Sequence, residues 1–167
     1  MELVVNVCEN WAIGKGGDQI VYISADLKRF RQLTSGKTVI LGRKTLATFP
    51  GGRPLKNRTN LILSGSGISV EGAEVFPDIP ALLERLKDCD LANVSVIGGA
   101  SVYEALLPYC EKAYITKTLL SPEADTFFPN LDALENWSVV NTEPVLEEDG
   151  VKFVYMDYVN SNPLPLY

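Results

Sequence analysis

A chain of 167 residues with 46% hydrophobic and 22% charged side chains is long enough for one domain with a substantial core, and its balance excludes a disordered polymer. Its 15 basic and 21 acidic side chains give a net charge of −6, which argues against nucleic acid as the main partner and confines anionic ligands to local basic clusters. The three cysteines, Cys8, Cys89 and Cys110, are odd in number and form no CxxC pair, and histidine is absent, so neither a disulfide framework nor a zinc or iron site is expected.

Residues 3–8 form the first strand candidate. No basic segment precedes a long apolar run there, so no secretory signal is expected and a cytoplasmic location is. A loop with Gly14, Gly16 and Gly17 follows. A helix begins near Ser24, assigned as its N-cap, with Ile23, Leu27, Phe30 and Leu33 as an apolar stripe at helical spacing. The apolar run 38–41 reads as a strand buried on both faces, and a short helix follows Gly42. After the loop 50–54 comes a strand at 60–64. Asp78-Ile79-Pro80 opens a helix with Ile79, Leu82, Leu83 and Leu86 on one face, proline fitting its first turn. Residues 94–97 form another buried strand, which runs into Gly98-Gly99 and a helix carrying Val102, Leu106 and Leu107. Strands are predicted at 113–119, 137–143 and 152–159. The fold class is therefore α/β: a mostly parallel central sheet, helices on both faces, and antiparallel C-terminal strands where helical crossovers run out. One domain is expected over 1–159, with an irregular tail over 160–167 that contains Pro163 and Pro165.

Four places could carry chemistry. At Val96-Ile97-Gly98-Gly99-Ala100-Ser101-Val102-Tyr103, a buried strand ends in a glycine pair where a helix starts. That arrangement suits close backbone approach of an anion, and it equally suits a tight turn with Ser101 and Glu104 as a capping box. At Leu41-Gly42-Arg43-Lys44-Thr45, two cations oppose a helix dipole, which a bound phosphate would offset; solvated surface charge is the plainer reading. This is not a P-loop, because position 37 is lysine where the upstream glycine is required. Asp26 falls on the apolar stripe of its helix, where a carboxylate needs a partner or a task, although the first helical turn alone also favours an acid. Arg58, beside the strand 60–64, can grip a carboxylate with two parallel hydrogen bonds; most arginines are simply exposed. Without histidine, proton chemistry falls to Asp, Glu, Tyr, Lys, Cys or water.

Taken in order, these signals resemble the dihydrofolate reductase family in its bacterial form, over residues 3–158. The matching stretches are Ala12-Ile13-Gly14, Ser24-Ala25-Asp26-Leu27-Lys28-Arg29-Phe30, Ile40-Leu41-Gly42-Arg43-Lys44-Thr45, Gly52-Arg53-Pro54-Leu55 through Arg58, Val96-Ile97-Gly98-Gly99, and Ala124-Asp125-Thr126-Phe127-Phe128-Pro129. The resemblance implies reduction of 7,8-dihydrofolate to tetrahydrofolate with NADPH as cofactor, in the supply of one-carbon units. It also implies antifolates as inhibitors and a monomer. Asp26 is similar to the family's pterin-binding acid and Thr116 to the threonine that supports it. Val4, Val5, Leu27, Phe30, Phe49, Leu55 and Ile97 would wall the substrate site, and Arg58 would bind the glutamate tail. For the cofactor, the resemblance implies Gly42, Thr45, Gly98, Gly99, Ala100, Ser101 and Val102 around the pyrophosphate, and Arg43, Lys44 and Ser64 at the 2′-phosphate. Tyr103, with the Ile97 and Ile13 backbones, would line the nicotinamide pocket, and Asn6 and Gly14 are also expected on the cofactor side, with the loop 13–22 closing over the nicotinamide.

Two positions depart from the pattern. Family members often carry tryptophan five residues before the acid, where this chain has Val21, and alanine where it has Asn6. Asn6 could touch cofactor or pterin, or bond its neighbours. The related riboflavin-pathway reductase shares the fold and NADPH, but Asp26, Phe30 and the spacing to Arg58 favour the folate enzyme. A non-catalytic nucleotide-binding module would bind NADPH without oxidising it.

Overall fold

The computed structural model describes residues 1–166. Its strands are β1 (Glu2–Cys8), β2 (Ala12–Gly14), β3 (Thr38–Gly42), β4 (Thr59–Leu63), β5 (Ala73–Phe76), β6 (Val94–Gly98), β7 (Lys112–Thr118), β8 (Thr126–Phe127), β9 (Trp137–Thr142), β10 (Leu146–Glu148) and β11 (Val151–Asn160). The helices are α1 (Ser24–Thr34), α2 (Arg43–Ala47), α3 (Ile79–Leu86) and α4 (Ala100–Leu106).

Nine strands form the main sheet in the order β10-β11-β7-β1-β6-β3-β4-β5, with β9 also paired to β11; β2 and β8 make a separate ribbon. From β7 to β5 every pairing is parallel, and β11 runs antiparallel to β7, β9 and β10. The helices lie between the parallel strands in sequence, and among the described residues no α-helix follows β7, so β11 returns antiparallel.

Side-chain alternation divides the core between the two faces. Ile40 joins one cluster, with Leu3, Val5, Val7, Leu82, Leu86 and Leu106; its neighbours Val39 and Leu41 join the other, with Leu46, Ile62 and Ile97. Thus α3 and α4 cover the first face, while α2 and Phe30 of α1 cover the second. All five residues of β6 are buried, as a strand covered on both faces requires.

Several expectations need correction. The N-cap of α1 is Ile23, and Ser24 is its first helical residue. The missing cap comes from 124 residues away: the Glu148 carboxylate accepts the Ser24 N–H at 2.6 Å and the Ala25 N–H at 3.1 Å. An acid at a helix start also suits the dipole. The apolar stripe of α1 is incomplete, since Leu27 is 44% exposed while Ile23 is buried. Ser101 and Glu104 form no capping box; the N-cap of α4 is Gly99, without a side-chain cap, and the helix ends at Leu106, one residue before Leu107-Pro108. Asn160, expected in the tail, closes β11 and is buried, its amide donating to the Cys110 carbonyl at 2.9 Å. Strands β2, β5, β8 and β10 have no periodic signature, because two to four residues are too few to show one. Of the predicted tail, Tyr167 lies outside the described residues.

Candidate active site

A cleft of about 1130 Å³ opens at the carboxyl ends of β1, β3 and β6, where parallel sheets usually hold ligands. The residues expected around the cofactor all line it. Ile13 and Gly14 come from β2, Gly42 from the end of β3, and Arg43, Lys44 and Thr45 from the start of α2. Ser64 follows β4; Gly98, Gly99, Ala100, Ser101, Val102 and Tyr103 form the turn from β6 into α4; Asn6 stands on β1. Of the expected substrate wall, Val5 and Ile97 also border this cleft.

Glycine is needed where the backbone is tightest. Gly98 has φ +133°, and a Cβ there would stand 3.2 Å from Thr45 Oγ1 and 3.5 Å from the Tyr103 hydroxyl. A Cβ on Gly42 would meet Val102 Cγ2 at 3.2 Å. Both helices that start here, α2 after Gly42 and α4 after Gly99, lack a side-chain cap, so their first amides remain open toward the cleft. Arg43 and Lys44 are exposed beside them. Open amides and paired cations at one wall fit the phosphates of a dinucleotide.

Asp26 sits in the first turn of α1 and reaches across to the sheet. Thr116 Oγ1 donates to its Oδ1 at 2.5 Å, and Asn6 Nδ2 donates to its Oδ2 at 3.0 Å. Thr118 Oγ1 in turn donates to Asn6 Oδ1 at 2.8 Å. Asn6 and Thr116 are direct partners in the β1–β7 register. Tyr103, at 5% exposure, donates its hydroxyl to the Val4 carbonyl at 2.8 Å. Burial first, and then the charge of Asp26, push that phenol far above its ordinary range, so it remains a neutral donor.

Phe30, about one turn beyond Asp26 on α1, belongs to an apolar wall. Phe30, Phe49 and Leu55 are half-buried and pack against the Ile97 cluster. Leu55 is held by Asn60, a buried polar residue without a signature in the sequence: its Oδ1 accepts the Leu55 N–H at 3.1 Å and its Nδ2 donates to the Leu55 carbonyl at 2.9 Å. Arg58 is steered by the end of α1, where Nε and Nη2 donate to Thr34 Oγ1 at 3.3 and 3.1 Å, and Nη1 donates to the Lys56 carbonyl at 2.8 Å. Burial and the neighbouring Arg31 lower its guanidinium from the usual value, but a guanidinium keeps its charge. The cysteines are free; burial pushes the Cys110 thiol up to about 12 and raises Cys8, which leaves both protonated at neutral pH.

The loop over the cleft is latched by a residue from the other end of the chain. Asp125 Oδ2 accepts the Gly16 N–H at 2.8 Å, and Tyr22 donates to Asp18 within the loop. The Gly16 amide, followed by the Thr126 hydroxyl, holds the Asp125 carboxyl below its ordinary range. A lowered carboxylate contributes above its unfolded pKa, near pH 4, and the contribution fades as pH falls through the folded value. Asp125→Ala is expected to speed hydrogen exchange at the Gly16 amide at neutral pH. Unchanged exchange at Gly16 would show that the latch does not hold the loop.

A parallel α/β sheet, a phosphate-ready cleft at its carboxyl ends and one pinned carboxylate beside an apolar wall define a dinucleotide-dependent oxidoreductase. The family model for dihydrofolate reductase matches residues 1–160. The dihydrofolate reductase of Haemophilus influenzae is 36% identical over 137 residues, 82% of each chain. That of Bacillus subtilis is 33% identical over 147 residues, 87% of this chain and 84% of the other. A solved dihydrofolate reductase from Enterococcus faecalis, complexed with NADP(H) and RAB-propyl, superimposes with a TM-score of 0.84 at 31% identity over 96% of both chains. The chain belongs to the dihydrofolate reductase family.

Proposed function

We propose that the chain reduces 7,8-dihydrofolate to 5,6,7,8-tetrahydrofolate, with Asp26 holding the pterin ring. The observation that carries this reading is the Asp26 carboxylate, pinned by Thr116 and by Asn6, which itself lines the cleft. NADPH supplies the hydride to pterin C6. Asp26 accepts from the ring's amino group and N3 side, and Thr116 keeps one oxygen in place. Tyr103 is buried and committed to the Val4 carbonyl, histidine is absent and Asp26 is engaged with the ring, and the proton for N5 is assigned to water. Val5, Ile97, Phe30, Phe49 and Leu55 form an apolar wall beside the ring, and Val4 presents its carbonyl side; Leu27, exposed in this structure, gains cover only from bound substrate. Arg43, Lys44 and Ser64 receive the 2′-phosphate, and the turns at Gly42 and Gly98-Gly99 receive the pyrophosphate.

The same reading makes the chain a cytoplasmic monomer whose site accepts antifolates, with the enzyme domain running through Asn160, the last residue of β11. No described helix is long and apolar enough to cross a membrane. The test is the NADPH absorbance of the purified chain. Consumption that depends on dihydrofolate and stops with an antifolate is expected; consumption indifferent to dihydrofolate would remove the reading.

Arg58 should read the substrate's tail and not its ring. Thr34 and the Lys56 carbonyl leave part of its donor fork free, and a charged pair in a half-buried site is worth roughly 1.5–3 kcal/mol. Arg58→Ala is expected to weaken dihydrofolate and glutamate-bearing antifolates and to leave ligands without that carboxylate nearly unchanged. Equal losses for both ligand types would place Arg58 in the fold instead.

A further inference from the structure

The Asp26 carboxylate is gripped from two sides by donors on adjacent strands. Thr116 of β7 takes one lone pair of Oδ1, and Asn6 of β1 takes one of Oδ2. A carboxylate offers about four lone pairs. One acceptor direction therefore remains on each oxygen, the number that a planar ligand edge with two N–H donors requires. With Thr116 alone, the carboxyl would have a single tether and could turn about its broad, two-fold terminal torsion. Asn6 supplies the second tether.

An asparagine can present either its NH₂ or its oxygen, and the oxygen would repel a carboxylate. Thr118 decides between them. It is fully buried, and its hydroxyl donates to Asn6 Oδ1 at 2.8 Å, which turns the amide N–H toward Asp26. In the parallel register Asn6 faces Thr116 and Cys8 faces Thr118, so Asn6, Thr116 and Thr118 share the sheet face that meets Asp26. No hydrogen bond joins Thr118 to Asp26 directly, so Thr118 reaches the acid through Asn6.

We infer that Asn6, oriented by Thr118, is a positioning residue that fixes the carboxylate plane of Asp26 for the pterin edge. The inference rests on the reading of Asp26 as the acid that holds the ring. Of the roles left open for Asn6 by the sequence, bonding its neighbours is the one its contacts with Asp26 and Thr118 fill.

The experiment measures kcat/KM for dihydrofolate in Asn6→Ala, Asn6→Asp, Thr118→Val, the double variant Asn6→Ala with Thr118→Val, and Asp26→Asn. Asn6→Ala removes one bond to a charged group and should lower kcat/KM roughly 10-fold. Thr118→Val should cost several-fold by itself and nothing further once Asn6 is alanine, because its route to the acid is gone. Asn6→Asp keeps the size of the side chain but sets one carboxylate against another, so its loss should exceed that of Asn6→Ala. A space-filling role for Asn6 would give the opposite order. The proposal is overturned by a wild-type kcat/KM in Asn6→Ala, by multiplicative losses in the double variant, or by an Asn6→Asp loss no larger than the alanine's. Should Thr118→Val fail to fold, the order of the two Asn6 variants still decides. A silent Asp26→Asn overturns the reading of Asp26 along with this inference; a crippled Asp26→Asn beside silent Asn6 variants overturns the inference alone.

Discussion

Asp26→Asn is expected to lose roughly 10²–10⁴-fold in turnover at neutral pH, the range for a positioned acid–base group. The substitution keeps the shape of the side chain and one acceptor oxygen, so the Thr116 hydroxyl still finds a partner. The second oxygen becomes an NH₂, which faces the Asn6 amide donor donor-to-donor and forces one amide to turn. The ring then loses a charged acceptor, and polarisation toward protonation at N5 is weakened. Activity should recover in part in acid, where solution protonates the pterin before it binds. NADPH affinity should change little, because Asp26 does not line the dinucleotide cleft. The pH–rate profile of the variant is the measurement. Near wild-type turnover at neutral pH, or a loss that stays constant as pH falls, would remove Asp26 from the role.

Arg43→Ala is expected to weaken NADPH by roughly 10- to 150-fold, about 1.5–3 kcal/mol, and NADH far less. Arg43 is the first residue of α2, borders the cleft and is exposed, and no side chain caps the helix behind it. A cation there is unfavourable against the helix dipole until an anion arrives, and the 2′-phosphate is the group NADH lacks. The difference should shrink with added salt, since an exposed charge pair is screened. Dissociation constants for both cofactors at two salt concentrations check this. Equal losses for NADPH and NADH would assign Arg43 to the pyrophosphate or to the fold.

The sequence by itself determined the elements whose signals are local. The run at β3 is apolar from Val39 to Leu41 and that at β6 is broken only by Ser95, which marks strands covered on both faces; Asp78 with Pro80 marked the start of α3, where the Asp78 side chain accepts the Ala81 N–H at 2.9 Å. The glycine pair after β6 and the cations after Gly42 pointed to one cleft because a strand end followed by a helix start places backbone amides at a fixed location. Asp26 stood out because a carboxylate on an apolar helical stripe demands a partner.

Which partner it receives was a matter for the tertiary structure. Asn6 and Thr118 lie 112 residues apart, and only the parallel pairing of β1 with β7 brings them together beneath the acid. Glu148 caps α1 from the far end of the chain, and Asp125 latches Gly16 across 109 residues. Residue type and spacing carry no trace of such bonds, since each depends on strand order and register, which are set by the burial of both sheet faces together. Leu27 shows the same limit: its helical spacing matches Ile23 and Phe30, yet it remains exposed because α1 packs through the buried Ile23 and Thr34 at its ends and through Phe30.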